Sequence, residues 1–598
     1  MPIFIQKIKS TAIKQLHKKT PFYRFLLLGL LSGAVSVPAV SALELPDAGS
    51  LLRDQQQINQ NLPERFPEKT PQEPVQQKTA SKSETIVTIE MIRFTGTDDL
   101  VSKEELQEVL KDAIGREFGF SGLQALADQV TQYLKNEGFI LARAFLPKQE
   151  ISNGVVTIAI QPGRIEGNAD DIIDIQGENL RISEEKLEDI AASALTPGAI
   201  IEISDLERAL LLMNDLPGIS AHSILKPGTT AGHSRITVDV EEGSLFTGST
   251  WLDNYGSRYN GTARANGLIQ LNDPFGMADR LNVLATVAED LQMGLLNYLI
   301  PIGSHGLTLA TSFTGLQYQT GKEFSDLNLE GTALTFNAKV NYPLVRSRKF
   351  NLNVEVGYDW KSLKDEALSI DFSDKRLNNF SLLFAGHSFD TVLGGGLSNW
   401  SLRGIIGDLD LSRVPDYLYI DQKTAQTDGN FNKLTYNLGR LQKLPANFSL
   451  YGGFFGQFAS KNLDSSEEFS LGGPYGVRAY PVSEASGDEG WIANIELRYD
   501  VPKDFYLGNL QLQLFYDIGE TKSHHDLYQG AVVNANNQNR YQLSAAGTKL
   551  VLTKADTYSV QAIWAIAIGD NPGQSFAGNN ADGKDQNNRF WLQATIWF

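Results

Sequence analysis

The charged residue with the clearest chemical context is Arg478, which lies in a glycine-rich stretch. That stretch contains Leu471-Gly472-Gly473 and, shortly after it, Gly476-Val477-Arg478-Ala479-Tyr480. A buried arginine needs a carboxylate, and its planar guanidinium can bind one through two parallel hydrogen bonds. Asp517 is the candidate partner, although two unrelated solvated charges would give the same sequence pattern. A buried pair of this kind fixes the conformation of a loop more than it adds stability.

The histidines form no recognisable catalytic or metal-binding set. The chain has 7 histidines and 0 cysteines, and the lack of cysteine excludes a disulfide scaffold and a Cys-ligated metal site. His387 beside Ser388 could suggest a hydrolase, but no companion residues accompany the pair. His524-His525 lies in a polar stretch, where two solvated histidines are commoner than a metal site. We therefore expect no enzyme activity, no cofactor and no metal.

The segments that must position Arg478 and Asp517 have the pattern of β-strands with one apolar and one polar face. In residues 510–518 (LQLQLFYDI), Asp517 shares the polar face with two glutamines. The same alternation recurs in 334–342, 352–360 and 491–499. Strands of about 10 residues with this pattern suit a membrane barrel, because one face meets lipid and the other meets a wet lumen.

Residues 243–598 are therefore predicted to form one closed β-barrel. The last ten positions place alternate apolar residues on one face and end in Phe598, which resembles bacterial outer-membrane barrels. About sixteen strands fit this length, at about 22 residues for each strand and its connection. Backbone groups must all be paired in lipid, so the sheet has to close. The glycine-rich stretch shows no alternation, so it is predicted to be a long loop that either projects into solvent or folds into the pore.

Residues 1–42 are predicted to be a cleaved secretory signal peptide. Basic residues without acidic ones are followed by an apolar run at 25–31 (FLLLGLL) and a small-residue cleavage site at Val40-Ser41-Ala42. An uncleaved anchor is the alternative, but the apolar run is short. The following 43–83 is polar and proline-bearing, and its composition favours a disordered linker over a short polar helix. The net charge of −18 argues against a nucleic-acid partner.

Between the signal and the barrel, one β-α-α-β-β order is predicted to occur twice. In the first copy, Ser102-Lys103-Glu104-Glu105 is a capping box, and the second helix ends at Gly138. In the second copy, Ser204-Asp205-Leu206-Glu207 is a further capping box, and Pro217-Gly218 stops that helix. Such small sheets have exposed edges, which either bind an extended polypeptide by strand addition or are simply covered.

Taken together, these features resemble the two-partner secretion transporters, the TpsB family of ShlB/FhaC/HecB-like haemolysin activation/secretion proteins. The resemblance rests on residues 138–149 (GFILARAFLPKQ), 206–218 (LERALLLMNDLPG) and 252–261 (LDNYGSRYNG), on the glycine-rich loop, and on 515–519 (FYDIG). It implies an all-β transmembrane barrel of about sixteen antiparallel strands behind two α+β POTRA domains and a plug helix. The implied segments are a signal peptide 1–42, a plug helix 43–62, a linker 63–83, POTRA domains 84–164 and 165–242, and a barrel 243–598 whose loop at about 461–490 folds into the lumen.

The resemblance also implies that Arg478, Tyr480 and Asp517 hold this loop in the lumen. It carries over further motif positions: the loop residues Gly472, Gly473, Gly476, Val477 and Ala479, the partner-strand residues Phe515 and Gly519, and the POTRA residues Gly138, Pro147, Gln149, Pro217 and Gly218. One position departs from the family pattern, because Ala479 stands where the family has glycine. If that position needs a positive φ, alanine costs roughly 1 kcal/mol.

The function implied is export of a large β-rich exoprotein from the periplasm to the surface of a Gram-negative bacterium. Its partners would be that exoprotein with its N-terminal secretion domain, outer-membrane lipid, and the barrel-assembly machinery for its own insertion. The pore is expected to be monomeric. An insertase of other barrels is the alternative, but such relatives usually carry more POTRA domains. A passive diffusion porin is disfavoured by the POTRA pair.

Overall fold

The computed structural model describes residues 46–59, 86–97, 100–167, 172–230, 232–502, 507–532 and 534–598. The predicted signal peptide 1–42 and linker 63–83 lie outside the described residues. Within the described ranges, no helix combines the length and the apolar character needed to cross a membrane.

The first element is the helix α1, Ala48–Asn59, which lies within the predicted plug segment. Asp47 caps its start, because the Ser50 backbone N–H donates to Asp47 Oδ1 at 2.8 Å. In return, the Asp47 N–H donates to Ser50 Oγ at 3.1 Å. These reciprocal bonds satisfy donors that an uncapped helix start leaves open.

The first α+β unit packs two helices against a three-stranded sheet of order β2-β5-β4. Its elements are β1 Val87–Thr88, β2 Met91–Thr95, α2 Lys103–Val109, β3 Glu117–Phe118, α3 Phe120–Asn136, β4 Arg143–Phe145 and β5 Val155–Gln161. The predicted capping box is present, since the Glu105 N–H donates to Ser102 Oγ and the Ser102 N–H donates to Glu105 Oε2. Alternate residues of β5 point into the core, so its sequence periodicity sets the buried face.

The second α+β unit repeats this order around a four-stranded sheet. Its elements are β6 Arg164–Ile165, β7 Ile173–Gln176, α4 Glu184–Ala192, α5 Ile203–Asn214, β8 Ile219–Pro227 and β9 His233–Glu242. The predicted capping box at Ser204 is wrong, because α5 begins earlier and the side chain of its N-cap, Glu202, makes no capping hydrogen bond to the helix backbone. The Ile203 N–H instead donates to the Gly138 carbonyl of the first unit at 2.9 Å, which satisfies the helix start from outside.

The rest of the chain is a closed antiparallel barrel, which in the described residues has 16 strands. The strands are β10 Phe246–Asp253, β11 Arg264–Asn272, β12 Arg280–Val287, β13 Leu291–Ile302, β14 Leu307–Gln319, β15 Glu330–Arg346, β16 Phe350–Ala367, β17 Ile370–Asp390, β18 Gly396–Asp410, β19 Gly429–Lys443, β20 Phe448–Ala459, β23 Glu489–Asp500, β24 Asn509–Lys522, β25 Arg540–Lys554, β26 Tyr558–Ala567 and β27 Asn588–Trp597. The first strand pairs with the last, from Ser249 opposite Trp597 to Asp253 opposite Gln593. The predicted strand number and closure are confirmed.

Several connections of the barrel carry structure of their own, including two short 3-10 helices at Lys322–Leu327 and Val392–Gly394. The one between β18 and β19 forms the short helix α6, Pro415–Asp421. The one between β20 and β23 contains a minimal hairpin of β21 Phe469–Ser470 and β22 Ser486–Gly487. The predicted alternation also holds along β24, where Leu514 is 59% exposed on the outside and Asp517 is 0% exposed on the inside.

Candidate functional site

The connection between β20 and β23, residues 460–488 and called the lumen loop below, lies inside the barrel. Most of its side chains are buried, and it contacts inward-facing residues of several strands. Gln457, near the end of β20, donates from Nε2 to the carbonyls of Glu467 at 2.8 Å and Asp488 at 3.1 Å. This one side chain ties both halves of the loop to the wall.

Arg478 of the lumen loop binds two carboxylates on adjacent strands. Its backbone N–H, its Nε and its Nη2 donate to Asp517 at 3.1, 2.9 and 2.7 Å. Its Nη1 donates to Glu496 Oε1 at 2.8 Å. Asn494 lies opposite Asp517 in the strand register and donates to its Oδ1 at 2.7 Å. The predicted Arg478–Asp517 contact is therefore present in the structure, and two partners are added that the sequence reasoning did not assign.

Two aromatic side chains contact Arg478 beside this ion pair. The guanidinium carbon of Arg478 lies 3.6 Å from the ring centre of Phe515, which is a close cation–π contact. Trp591 on β27 donates from Nε1 to the Arg478 carbonyl at 2.8 Å. Tyr480 is buried in the same apolar cluster, but its hydroxyl has no hydrogen-bond partner in the described part of the chain. Tyr480 thus contributes packing to the Arg478 site, with no polar contact to Asp517.

The glycine positions of the motif form the turn that presents Arg478. Gly473 has φ +109°, which favours glycine, and its N–H donates to the Tyr480 carbonyl at 3.2 Å. The turn also contains buried Gly472, Gly476 and Val477. On the facing strand, a Cβ at Gly519 would lie 2.9 Å from Leu471 Cδ2, so glycine there admits the loop against β24.

Ala479 takes the place of the family glycine without a backbone penalty. It is absent from the non-glycine residues with positive φ, although Ser483 and Ala485 of the same loop are among them, at +64° and +56°. Its methyl group is fully buried. Because position 479 does not have a positive φ, the energetic cost expected for alanine there does not arise.

A second anchor holds the lumen loop at another part of the barrel wall. Glu467 accepts from Lys361 Nζ at 2.6 Å and from Asn379 Nδ2 at 2.8 Å, and its other oxygen lies 2.6 Å from Lys433 Nζ. These partners project from β16, β17 and β19, and all are buried or nearly so. Sequence reasoning did not identify Glu467, although the strand alternation places Lys361 and Lys433 on the inner face.

The helix α1 lies in the lumen against both the wall and the lumen loop. The Ala48 N–H donates to Asp365 Oδ1 on β16 at 2.8 Å, so a wall carboxylate faces the helix N-terminus. Further along, Gln55 accepts from Arg264 Nη1 at 2.6 Å, and Arg264 itself is paired with Asp253 of β10. Leu51 and Leu52 belong to an apolar cluster with inward-facing barrel residues. Helix and loop therefore both lie within the lumen.

The end of the lumen loop carries a carboxyl group with an altered pKa. Asp488 accepts from the Leu463 N–H at 2.8 Å and from the His525 N–H at 2.7 Å. Burial raises the pKa of Asp488 to about 7, and the two backbone donors oppose that rise. This carboxyl therefore titrates near neutral pH at the point where the loop rejoins the wall.

The POTRA motif positions serve the fold of the two α+β units, away from the lumen. Gln149 acts like an extra strand, because its Nε2 donates to the Thr157 carbonyl and its Oε1 accepts from the Thr157 N–H, both at 2.7 Å. Pro147 lies two positions earlier, and its carbonyl also accepts from Gln149 Nε2, at 3.5 Å. Gly138 (φ +102°) ends α3 and joins the two units through Ile203. Pro217 and Gly218 follow α5, and Gly218 accepts from the Gly243 N–H at 2.8 Å beside the barrel entrance.

Several histidines make polar contacts in the described residues. His387 pairs with Asn351 Nδ2 across β16 and β17 at 2.8 Å. His524 lies 2.9 Å from the Ala531 carbonyl, and His525 contacts Glu489. The described ranges contain no group of three or more His, Cys, Asp or Glu side chains that could hold a metal ion. The polar contacts described at the lumen site are ion pairs and hydrogen bonds.

Comparison with known proteins gives matches over most of the chain. Residues 232–536 match the family "Haemolysin secretion/activation protein ShlB/FhaC/HecB", and residues 87–163 match "POTRA domain, ShlB-type". The chain is 26% identical over 581 residues to the heme/hemopexin transporter protein HuxB of Haemophilus influenzae, covering 96% of this chain and 99% of HuxB. It is 24% identical over 450 residues to the outer membrane transporter CdiB of Dickeya dadantii, covering 73% and 76%. The solved structure of CdiB from Escherichia coli shares the fold, with a TM-score of 0.68, 18% identity and coverage of 93% of this chain and 100% of that one.

Proposed function

The chain belongs to the haemolysin secretion/activation protein family ShlB/FhaC/HecB and is an outer-membrane transporter of two-partner secretion. We propose that it carries its exoprotein through the barrel in extended form. The α+β units are the periplasmic POTRA side of this transporter. The matched family is a transporter family, and the proposal requires no catalytic step.

The observation that carries the proposal is the way in which the lumen is filled. Two segments that are not part of the wall, α1 and the lumen loop, occupy it, and both are held by side-chain contacts. Asp365 faces the start of α1, and Asp517 and Glu467 mark the two anchors of the loop. Contacts of this kind can break and re-form while the 16-strand wall stays closed. Displacement of both segments would leave a channel for an unfolded chain.

Capture of the exoprotein is assigned to the sheet edges of the POTRA units. In the first unit, β2 pairs with β5 on one side and forms the edge of the sheet order β2-β5-β4. Met91 on β2 is 54% exposed, so this edge offers both backbone groups and apolar surface to an added strand. An extended segment of the exoprotein's secretion domain would bind there before it enters the barrel.

The remaining partners are those that a barrel in the outer membrane needs. The barrel requires outer-membrane lipid around its apolar face and the barrel-assembly machinery for insertion, and we propose that it works as a monomeric pore. Folding of the exoprotein outside the cell would supply the driving force. An insertase activity finds less support, because the relatives HuxB and CdiB that cover most of the chain are named as transporters.

The capture role is tested by blocking the β2 edge. Met91→Lys places a charge on the free edge, which disfavours strand addition, and we expect less exoprotein on the cell surface at an unchanged amount of assembled barrel. Ile114→Lys is the matched control, because Ile114 is also exposed (46%) but lies outside the strands. Deletion of 84–163 should have the larger effect. Normal surface display in the Met91 variant and in the deletion would contradict the capture role.

A further inference from the structure

Lys375 on β17 lies between two carboxylates that come from two different segments of the lumen. Its Nζ is 2.9 Å from Asp47 Oδ2, at the start of α1, and 2.8 Å from Asp464 Oδ2, in the lumen loop. The Lys375 side chain is 3% exposed. One buried ammonium therefore compensates one negative charge from the helix and one from the loop.

The helix and the loop also contact each other directly beside Lys375. Ser465 donates from Oγ to Asp47 Oδ2 at 2.6 Å, and Arg53 of α1 donates to the Ser465 carbonyl at 3.2 Å. A Cβ placed at Gly49 would lie 2.6 Å from Ser465 Oγ, so the helix backbone rests on the loop with no side chain between them. Movement of either segment must disturb the other.

We propose that Lys375 is a latch that couples α1 to the lumen loop and keeps both in the closed pore. While the Lys375 ammonium is present, it balances the negative charges of Asp47 and Asp464 in this buried site. Without it, two unpaired carboxylates face each other in a buried site, which is unfavourable for each of them. The helix has fewer ties to the wall than the loop has, so α1 is the segment that leaves.

Other basic residues on the described part of the wall make different contacts. Lys361 and Lys433 contact the loop through Glu467. Lys339, on the inner face of β15, lies 3.8 Å from Glu355 of the neighbouring strand. Lys375 differs from these residues because it contacts the helix as well as the loop. This latch rests on the proposed role of α1 as a pore plug.

The test measures exposure of α1 in the purified full-length protein. Since the chain has 0 cysteines, Leu52→Cys introduces a single thiol at a position that is 0% exposed in the closed pore. The probe is a membrane-impermeant maleimide. We expect Lys375→Gln in this background to raise the labelling rate about tenfold or more, since the rate follows the population of the displaced helix. Lys339→Gln, which removes the same charge from the inner wall, should leave the labelling rate of the Leu52→Cys background unchanged.

A second variant separates the latch from general loss of folding. Asp47→Asn removes the helix charge and keeps the N-cap, because asparagine caps helices as well as aspartate does. It should raise labelling in the same direction, and adding Lys375→Gln should raise it no further. Multiplicative effects of the two substitutions, or an unchanged rate in Lys375→Gln with an assembled barrel, would overturn the latch. Labelling needs no exoprotein, so its outcome is independent of whether the capture experiment succeeds.

Discussion

Arg478 directs three donors at Asp517: its own backbone N–H at 3.1 Å, its Nε at 2.9 Å and its Nη2 at 2.7 Å. A single carboxylate of the barrel wall therefore fixes both the course of the loop backbone and the direction of the guanidinium. Such bidentate, charge-assisted contacts are geometrically specific, and lysine cannot reproduce them.

Removal of this arginine should release one end of the lumen loop. Arg478→Ala leaves Asp517 and Glu496 buried without the guanidinium, and breaking a buried pair in this way costs about 3–5 kcal/mol. We expect reduced secretion of the exoprotein while the barrel still assembles, measured by surface display and by the heat-dependent gel mobility of the barrel. Arg403→Ala is the matched control, because Arg403 pairs with the wall residue Glu355 at 3.0 Å. Full secretion by the Arg478 variant would show that this contact is dispensable.

The second anchor, at Glu467, should be disrupted by a change at one atom of the loop. Glu467→Gln keeps the shape of the side chain and its capacity to accept from Asn379, but it leaves Lys361 and Lys433 without their shared negative charge. We expect a lower unfolding temperature in detergent and faster protease cleavage within 460–488. Glu468→Gln, one position along, should have a smaller effect, because Glu468 is more exposed and its ion pair with Arg53 is longer, at 3.3 Å. Equal effects at the two positions would contradict a specific anchor at Glu467.

The strand alternation predicted most of the architecture and the wall residues of the Arg478 site. It placed Asp517 on the inner face, and it placed Glu496 there too, because a period of two assigns every strand residue to a face. It could not show that Arg478 would reach both carboxylates, since the loop has no period from which its path can be read. The alternation made Asp517 a candidate partner of Arg478 and left two unrelated solvated charges open, and the resemblance then implied the pair. Its role in secretion stays a prediction.

The contacts between separate segments were the part that sequence reasoning missed. Glu467 and Lys361 lie 106 positions apart in the chain, so no local spacing connects them. The failed capping box at Ser204 has a similar cause. There the Ile203 N–H is satisfied by Gly138 of the neighbouring unit, so a tertiary contact replaces the local one.

Two alanines of the lumen loop should respond in opposite ways to glycine. Ala479 does not have a positive φ, so Ala479→Gly relieves no backbone strain. The substitution removes a buried methyl group and raises the conformational entropy of the unfolded chain, which together lower the stability by about 1 kcal/mol. Ala485 has φ +56°, where glycine relieves roughly 1 kcal/mol of steric strain. Thermal unfolding in detergent should place the Ala485→Gly midpoint above that of Ala479→Gly. The reverse order would show that the family glycine is required for its backbone freedom here.

The loop end at Asp488 should give the closed pore a pH-dependent stability. Burial raises the pKa of Asp488 from 3.8 to about 7, so the folded protein binds a proton there over a range in which the unfolded chain does not. The stabilisation that this protonated carboxyl gives the folded protein is therefore complete below about pH 4. It declines as the pH rises and is lost above about pH 7. The unfolding temperature in detergent should fall between pH 5 and pH 8 by more in the parent protein than in Asp488→Asn, whose amide cannot ionise. Asp416→Asn, in the exposed first turn of α6, should keep the pH dependence of the parent. If Asp488→Asn keeps it as well, another group is responsible for the dependence.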